Sequence, residues 1–366
     1  MTALDDVTTE RATYGTPRRI FRARAARARM EHVARLCKVL GRPPLRVVPG
    51  YSFKTNSRTE LVQAAREHGF LAETISPEER IWAVRNGFGA ERTIANGPEP
   101  IPAGSAPLAF AFADGVEAFV RNVRDRVARV AGVRLRPSMI RSRFGVPVDD
   151  EPMLHAAVAS SPRDTVLGLG FHARREDYHG ASWRDVAADV LDRAVALGEQ
   201  TERAIVAFDI GGGWTPEQFD DDFADDVRWL VERLMTAVPA CRTLIAEPGQ
   251  AISTPAEALL TQVLEVRERG RRREAIVDAG FCDWPQMHAY PHRVYAIGAG
   301  KWEPLGHGPD RIGGRTCLEY DVVDGVRLPP GLRAGDRLLI ADVGSYDHSM
   351  AFAFARGEGT QTVHSG

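Results

Sequence analysis

"LRVVPGYSF", Leu45–Phe53, is an apolar run that reads as a buried strand, and "TELVQAAREHG", Thr59–Gly69, is helical behind it. Gly69 offers a C-cap to that helix. Further strand-like runs follow down the chain: "RTIANG", "LAFAFA", "GVRLRP", "TVLGLGFHA", "AIVAFDIGGG" and "RTLIAEPG". Helical segments such as "WRDVAADVLDRAVALGEQ" and "DDFADDVRWLVERLMTAV" separate several of them, and "FRARAARARMEHVARLCKVL" precedes the first. Strand–helix alternation repeated about eight times predicts a parallel sheet closed as a (β/α)8 TIM barrel. Past about Pro255 the texture changes. "ALLTQVLEVRERGRRREAIVDAG", "TCLEYDVVDGVRLPPG" and "DRLLIADVGSYD" read as strands joined by Gly/Pro turns. The expected organisation is therefore a barrel over residues 18–255. An antiparallel β domain is expected to take residues 1–17 and 256–366, with the N-terminal strand included.

Composition narrows the function class. The chain has 366 residues, 44% hydrophobic and 26% charged, as in an ordinary globular protein. A net charge of -2 gives no electrostatic case for nucleic acid or an anionic membrane surface. No apolar run approaches the ~20 residues that span a bilayer. Cys37, Cys241, Cys282 and Cys317 are far apart and form no CxxC pair. Free thiols, a cytoplasmic location and no metal site are the expectation.

Chemistry is sought at the barrel's strand ends. Among 47 basic residues only Lys38, Lys54 and Lys301 are lysines. Lys54 follows an apolar strand, where desolvation favours a Schiff base. Alone it reads as a surface lysine. "DIGGG" puts Gly211, Gly212 and Gly213 after a strand, where backbone N–H groups can approach an anion. Alone it reads as a turn. "IAEPGQ" places Glu247 at the next strand end, where it could keep a pyridine nitrogen protonated. Lysine, phosphate cradle and acidic ring partner are what pyridoxal 5'-phosphate requires.

The order and wording of these motifs resemble the pyridoxal-phosphate-dependent ornithine/diaminopimelate/arginine decarboxylases of the alanine-racemase-like barrel fold. The resemblance runs from about Tyr14 to Phe354. "YGTPRRIF" resembles the family's opening, "YSFKTN" its lysine motif, and "AETISPEE", "RSRFG" and "GFHARR" its intermediate segments. "DIGGG" and "EPG" match as they stand; "GRTCLEYD" and "GDRLLIADVGSY" resemble its two C-terminal motifs. What the resemblance implies is a carboxy-lyase acting on a small amino acid or amino-acid derivative. Lys54 would carry the cofactor, Glu247 would face its ring nitrogen and His172 would stack on the ring. Gly211, Gly212, Gly213 and the Tyr346 hydroxyl would hold the phosphate. Cys317 would protonate the α-carbon after carbon dioxide leaves, reaching across a homodimer with shared active sites. Asp278 and Glu73 match acidic family positions.

Departures bear on the substrate. Gln250 stands where the family commonly has a phosphate-binding arginine, while Arg174 and Arg175 occupy the "HARR" segment; the cation is expected to have moved there, with Arg175 the favoured residue. Leu318 follows the cysteine where diamine-forming relatives carry an aspartate and diaminopimelate enzymes a glutamate. A leucine cannot pair with a buried ammonium, although Glu319 is adjacent. A specialised substrate is therefore expected, such as an acylated, citryl-linked or carrier-tethered amino acid, rather than plain ornithine, lysine or diaminopimelate. The alternatives are an amino-acid racemase or epimerase of the same fold and a catalytically silent cofactor-binding regulatory homologue.

Overall fold

The computed structural model describes residues 7, 15–174, 180–298, 300–354 and 358–365. Two compact units divide the chain: Arg29–Ala251, and Met1–Ala28 together with Ile252–Gly366.

The first unit is a closed barrel of eight parallel strands. They are β2 (Arg46–Ser52), β3 (Leu71–Thr74), β4 (Thr93–Ala95), β5 (Leu108–Ala113), β6 (Ala128–Arg134), β7 (Leu167–Gly170), β8 (Ile205–Asp209) and β9 (Thr243–Ala246). The helices are α1 (Ala23–Leu40), α2 (Thr59–Glu67), α3 (Pro77–Arg85), α4 (Val116–Arg124), α5 (Glu151–Ser160), α6 (Trp183–Thr201), α7 (Pro216–Asp221), α8 (Phe223–Ala237) and α9 (Gly249–Ser253). Local signals account for several of them. On α2, Leu61, Val62, Ala64 and Ala65 are buried on one face. The Ser182 hydroxyl and the Asp185 carboxylate form a capping box that starts α6, and Thr215 and Gln218 form one that starts α7. No α-helix lies between β4 and β5, so one of the expected units is incomplete.

Inside the barrel, Phe112 on β5 occupies the space that glycines leave open. A Cβ on Gly132 of β6 would sit 2.3 Å from its ring. With Ile94 and Ile245 it forms a buried cluster, worth about 1.5–3 kcal/mol for each such side chain. β3, "LAET", is a barrel strand that sequence reading did not find; it has four residues and ends in a glutamate and a threonine.

The second unit is one nine-stranded sheet. It contains β1 (Arg18–Phe21), β10 (Glu257–Arg269), β11 (Arg272–Val277), β12 (Val294–Gly298), β13 (Lys301–Pro304), β14 (Gly306–Gly313), β15 (Val322–Arg327), β16 (Arg337–Ala341) and β17 (Thr362–His364). An N-terminal strand joins it, but from residues expected in the barrel: β1 runs antiparallel to β10, Arg18 opposite Leu260, because its pairing with β10 draws it into the sheet. The sheet is mixed, because β1 pairs parallel with β17 and β11 parallel with β14. Phe21 closes β1 and α1 begins at Ala23, so the helix read from Phe21 starts two residues later. No helix among the described residues is long and apolar enough to cross a membrane.

Candidate active site

Each barrel strand contributes one polar side chain, at or just beyond its C-terminal end, to a single cavity of about 430 Å³. They are Lys54 after β2, Glu73 on β3, Asn96 after β4, Asp114 after β5, Arg134 ending β6, His172 after β7, Asp209 ending β8 and Glu247 after β9. A parallel barrel directs its strand ends to one face, so eight residues far apart in sequence converge there. Lys54, Glu73, His172 and Glu247 were singled out in the sequence. Asn96, Asp114, Arg134 and Asp209 were not, although Asp209 lies inside the quoted "DIGGG".

The Lys54 Nζ donates to Glu73 Oε2 at 2.6 Å, and the Ser52 hydroxyl donates to the same oxygen. Glu73 is fully buried, and its Oε1 has no hydrogen bond among the described residues. The Asn96 amide donates to Glu247 Oε1 at 2.6 Å, leaving Asn96 Oδ1 buried without a hydrogen bond. Glu247 is 3% exposed. Burial, and then the nearby Asp209 and Glu73 carboxylates, push its carboxyl well above the usual range. Burial raises Asp209 as well. Burial thus disfavours the ionised form of Glu247, and the Lys54 charge offsets this only in part.

His172 is fixed as a neutral ring. The Gly212 N–H donates to its Nδ1 at 3.1 Å, so that nitrogen carries no proton. Burial, then Arg134 and Lys54, lower its pKa well below the ordinary value. Gly211 takes a positive φ of 62°, and a Cβ there would lie 2.5 Å from His172 Nδ1. On Gly212 a Cβ would lie 2.2 Å from the Glu247 carbonyl oxygen. The glycine run thus lets β8, His172 and Glu247 close against one another. Gly211 N–H donates to Asp209 Oδ1 at 2.8 Å. Two of the three glycine N–H groups expected to cradle an anion therefore serve the barrel itself, and Gly213, at φ 98°, keeps a free direction.

Gln250 is buried at the start of α9, and Arg174 lines the cavity next to the Gly213 turn. Arg175 lies outside the described residues. The remaining expected residues belong to the sheet unit. Cys317 is exposed, whereas Cys37, Cys241 and Cys282 are buried, and burial pushes the Cys37 thiol up to about 12 and that of Cys241 to about 11. The run "TCLEYDVVDGVRLPPG" does carry a strand, β15 (Val322–Arg327), but the segment around Cys317 that precedes it is a clamped turn. Asp321 accepts the N–H groups of Phe281 (2.7 Å) and Thr316 (3.0 Å) and the Thr316 hydroxyl (2.5 Å). Leu318 is half-buried on that turn and Glu319 is exposed. Asp278 accepts from the Thr261 hydroxyl and the Gln262 N–H within the sheet. Tyr346 sits at φ 56° between buried Ser345 and Asp347, a costly backbone for a bulky residue.

An amine, a buried acid whose ionised form is disfavoured, an uncharged imidazole and a buried amide oxygen without a hydrogen bond share one cavity. That donor set fits pyridoxal phosphate, whose ring N–H would supply the cation missing at Glu247.

Comparison with known proteins bears on the family and the fold. A diaminopimelate decarboxylase of Actinosynnema pretiosum subsp. auranticum is 26% identical, the match covering 93% of this chain and 82% of that protein. The crystal structure of lysine decarboxylase from Selenomonas ruminantium superposes with a TM-score of 0.75 at 21% identity, over 97% of this chain and 94% of that one. The arginine decarboxylase of Paramecium bursaria Chlorella virus gives 0.77 at 15% identity, over 97% and 98%. Residues 156–344, just over half of the chain, match the family described as "Pyridoxal-dependent decarboxylase, C-terminal sheet domain". The chain belongs to that family: it is a pyridoxal-phosphate-dependent carboxy-lyase of the amino-acid decarboxylase kind.

Proposed function

We propose that this enzyme decarboxylates a specialised amino acid rather than plain ornithine, lysine or diaminopimelate, and that Lys54, Glu247, His172 and Cys317 carry the reaction. The supporting observation is the convergence of Lys54, paired to Glu73, and of Glu247, paired to Asn96, on one cavity. Bound there, pyridoxal phosphate supplies an electrophilic aldehyde and an electron-accepting ring.

Lys54 holds the cofactor covalently. Glu73 keeps its Nζ oriented through their 2.6 Å bond. Glu247 ionises against the ring nitrogen, with Asn96 fixing its rotamer. His172 lies against the ring as a neutral imidazole, because its Nδ1 accepts from Gly212. Gly213, Arg174 and the Tyr346 hydroxyl bind the phosphate in place of the arginine replaced by Gln250, with Arg175 a further candidate. Cys317, from the partner copy in a homodimer, delivers a proton to the α-carbon. Its exposure in the single chain supports that role. Leu318 faces the distal end of the substrate and disfavours a free ammonium there; Glu319, adjacent in sequence, and Asp278 are the acidic candidates.

Borohydride reduction followed by intact-mass measurement tests the attachment. The adduct should form on wild type and vanish in Lys54→Ala, with carbon dioxide release lowered by about 10³-fold or more. Cys317→Ser should retain the adduct and slow turnover. No adduct at position 54, or conversion of enantiomers without carbon dioxide release, would sink the assignment.

A further inference from the structure

Three arginines line the cavity outside the ring of eight: Arg174, beside the Gly213 turn, and Arg141 and Arg143. Arg141 and Arg143 lie in the segment after β6 and line the same space as Lys54. That segment is built to present them. Its neck is closed by Arg136 N–H to the Val146 carbonyl (2.9 Å) and Val146 N–H to the Arg134 carbonyl (2.8 Å). Buried Arg193 of α6 clamps both sides of the neck, donating to the Arg136 carbonyl at 2.6 Å and the Val146 carbonyl at 3.0 Å. At the tip, Arg136 donates to the Ser142 carbonyl at 2.9 Å, and the Arg143 guanidinium lies 4.1 Å from the Phe144 ring centroid. A loop tied at its base and braced at its tip holds its side chains in place.

The other charges of the cavity are spoken for. Lys54 pairs with Glu73, and Arg134 faces Asp114 at 3.6 Å. Arg174 belongs with the Gly213 turn, where a Cβ would meet its Cγ at 3.1 Å. Burial raises Asp209 and Glu247, which disfavours their charged forms. Among the described residues, neither Arg141 nor Arg143 has a carboxylate within 4.0 Å. β6 is the fifth strand of the closed eight and β2 the first, so this loop and Lys54 occupy opposite walls. With a cofactor phosphate near Gly213, Arg141 and Arg143 add positive charge two strands away, and only Arg143 is offset in part, by Asp114.

We infer that Arg141 and Arg143 bind an anionic group, carboxylate or phosphate, at the far end of the substrate. The substrate is then an amino acid whose side chain ends in negative charge, in keeping with the leucine at position 318. A planar guanidinium engages such a group bidentately. This rests on the decarboxylase reading above and adds the charge of the substrate to it.

The test is spectral titration of the purified holoenzyme with four amino acids of similar length: 2-aminoadipate, 2-amino-5-phosphonopentanoate, norleucine and lysine, each as both enantiomers. One or both anionic probes should saturate at concentrations about tenfold or more below norleucine and lysine, and the stronger of the two identifies carboxylate or phosphate. In Arg141→Ala and Arg143→Ala the anionic probes should fall to the norleucine level, with KM rather than kcat carrying the change where turnover is seen. Equal saturation by all four probes, or a preference for lysine, overturns the inference. So does an unchanged preference in both variants, including the case where sedimentation shows that they disturb an interface between copies. Borohydride adduct formation on the same samples reads the attachment at Lys54 separately. A protein that traps its cofactor yet ignores distal charge refutes only the anion site.

Discussion

The barrel unit and the sheet unit both bury charge, but they treat it in opposite ways. In the sheet unit, buried ionic groups are matched. Arg19 meets Glu257 at 3.4 Å and also donates to the carbonyls of Val343 (3.1 Å), Asp347 (2.7 Å) and Asp283. His292 meets Asp347 at 2.9 Å, and His348 meets Glu257 at 3.3 Å. These contacts tie β1 and β10 to the loop that carries Tyr346. In the barrel unit the carboxylates are left short. Among the described residues, every buried carboxylate oxygen without a hydrogen bond lies there: Glu73 Oε1 and both oxygens of Asp114. An unsatisfied buried carboxylate oxygen costs stability, so the confinement of these three oxygens to the strand ends marks where a ligand is meant to complete the bonding.

If this contrast is right, removing a buried charge should have opposite consequences in the two units. Arg19→Met should be the most damaging to the fold. It removes the arginine beside fully buried Glu257, leaving it His348, and strips three carbonyls of a donor, at a cost of about 3–5 kcal/mol by denaturant titration. A loss under about 1 kcal/mol would erase the distinction. Glu247→Gln should do the reverse. Its carboxyl is raised, so it stays protonated in the cofactor-free fold while the unfolded chain releases the proton. That group costs stability increasingly as pH climbs above the ordinary carboxylate value. A glutamine can keep the bond to Asn96 without that cost. The cofactor-free variant should therefore match or exceed wild type in melting temperature at pH 7, while its carbon dioxide release falls by about 10²-fold.

How much of this could be read in advance follows the same divide. Seven of the eight barrel strands appear in the sequence as apolar runs, because strands buried on both faces need no alternation. Lys54, His172 and Glu247 were found because each follows such a run within a recognisable motif. Asn96, Asp114 and Arg134 stand at the same level of the barrel but carry no motif of their own; only closure of the strand order places them beside the others. Arg141 and Arg143 depend on a loop neck clamped by Arg193, about fifty residues further on. The "TCLEYD" stretch has strand-like composition, yet Asp321 draws the N–H groups of Phe281 and Thr316 to itself and leaves a turn there. Side-chain to backbone bonds of this kind override propensity and are invisible without the partner strand.

The smallest test concerns a carboxyl that does have its bond. Glu79 caps α3: its Oε2 accepts from Ile75 N–H at 2.8 Å, and its own N–H donates to Ser76 Oγ at 3.2 Å. Burial nevertheless pushes its pKa to about 7, the bond from Ile75 only partly offsetting this, and the charge of Glu73 adds to the rise. Between the unfolded value near 4.5 and about 7, the unfolded chain carries fewer protons at this site than the folded one. Stability therefore falls as pH rises through that window and levels off above it. Glu79→Gln preserves an acceptor for Ile75 and removes the titration. It should equal wild type at pH 4 and exceed it by about 1 kcal/mol at pH 8, after allowance for partial solvent screening. A variant less stable than wild type at pH 8 would mean that the ionised cap outweighs its burial. Even the bonded carboxylates of the barrel would then be structural, and the contrast between the two units would rest on the strand-end residues alone.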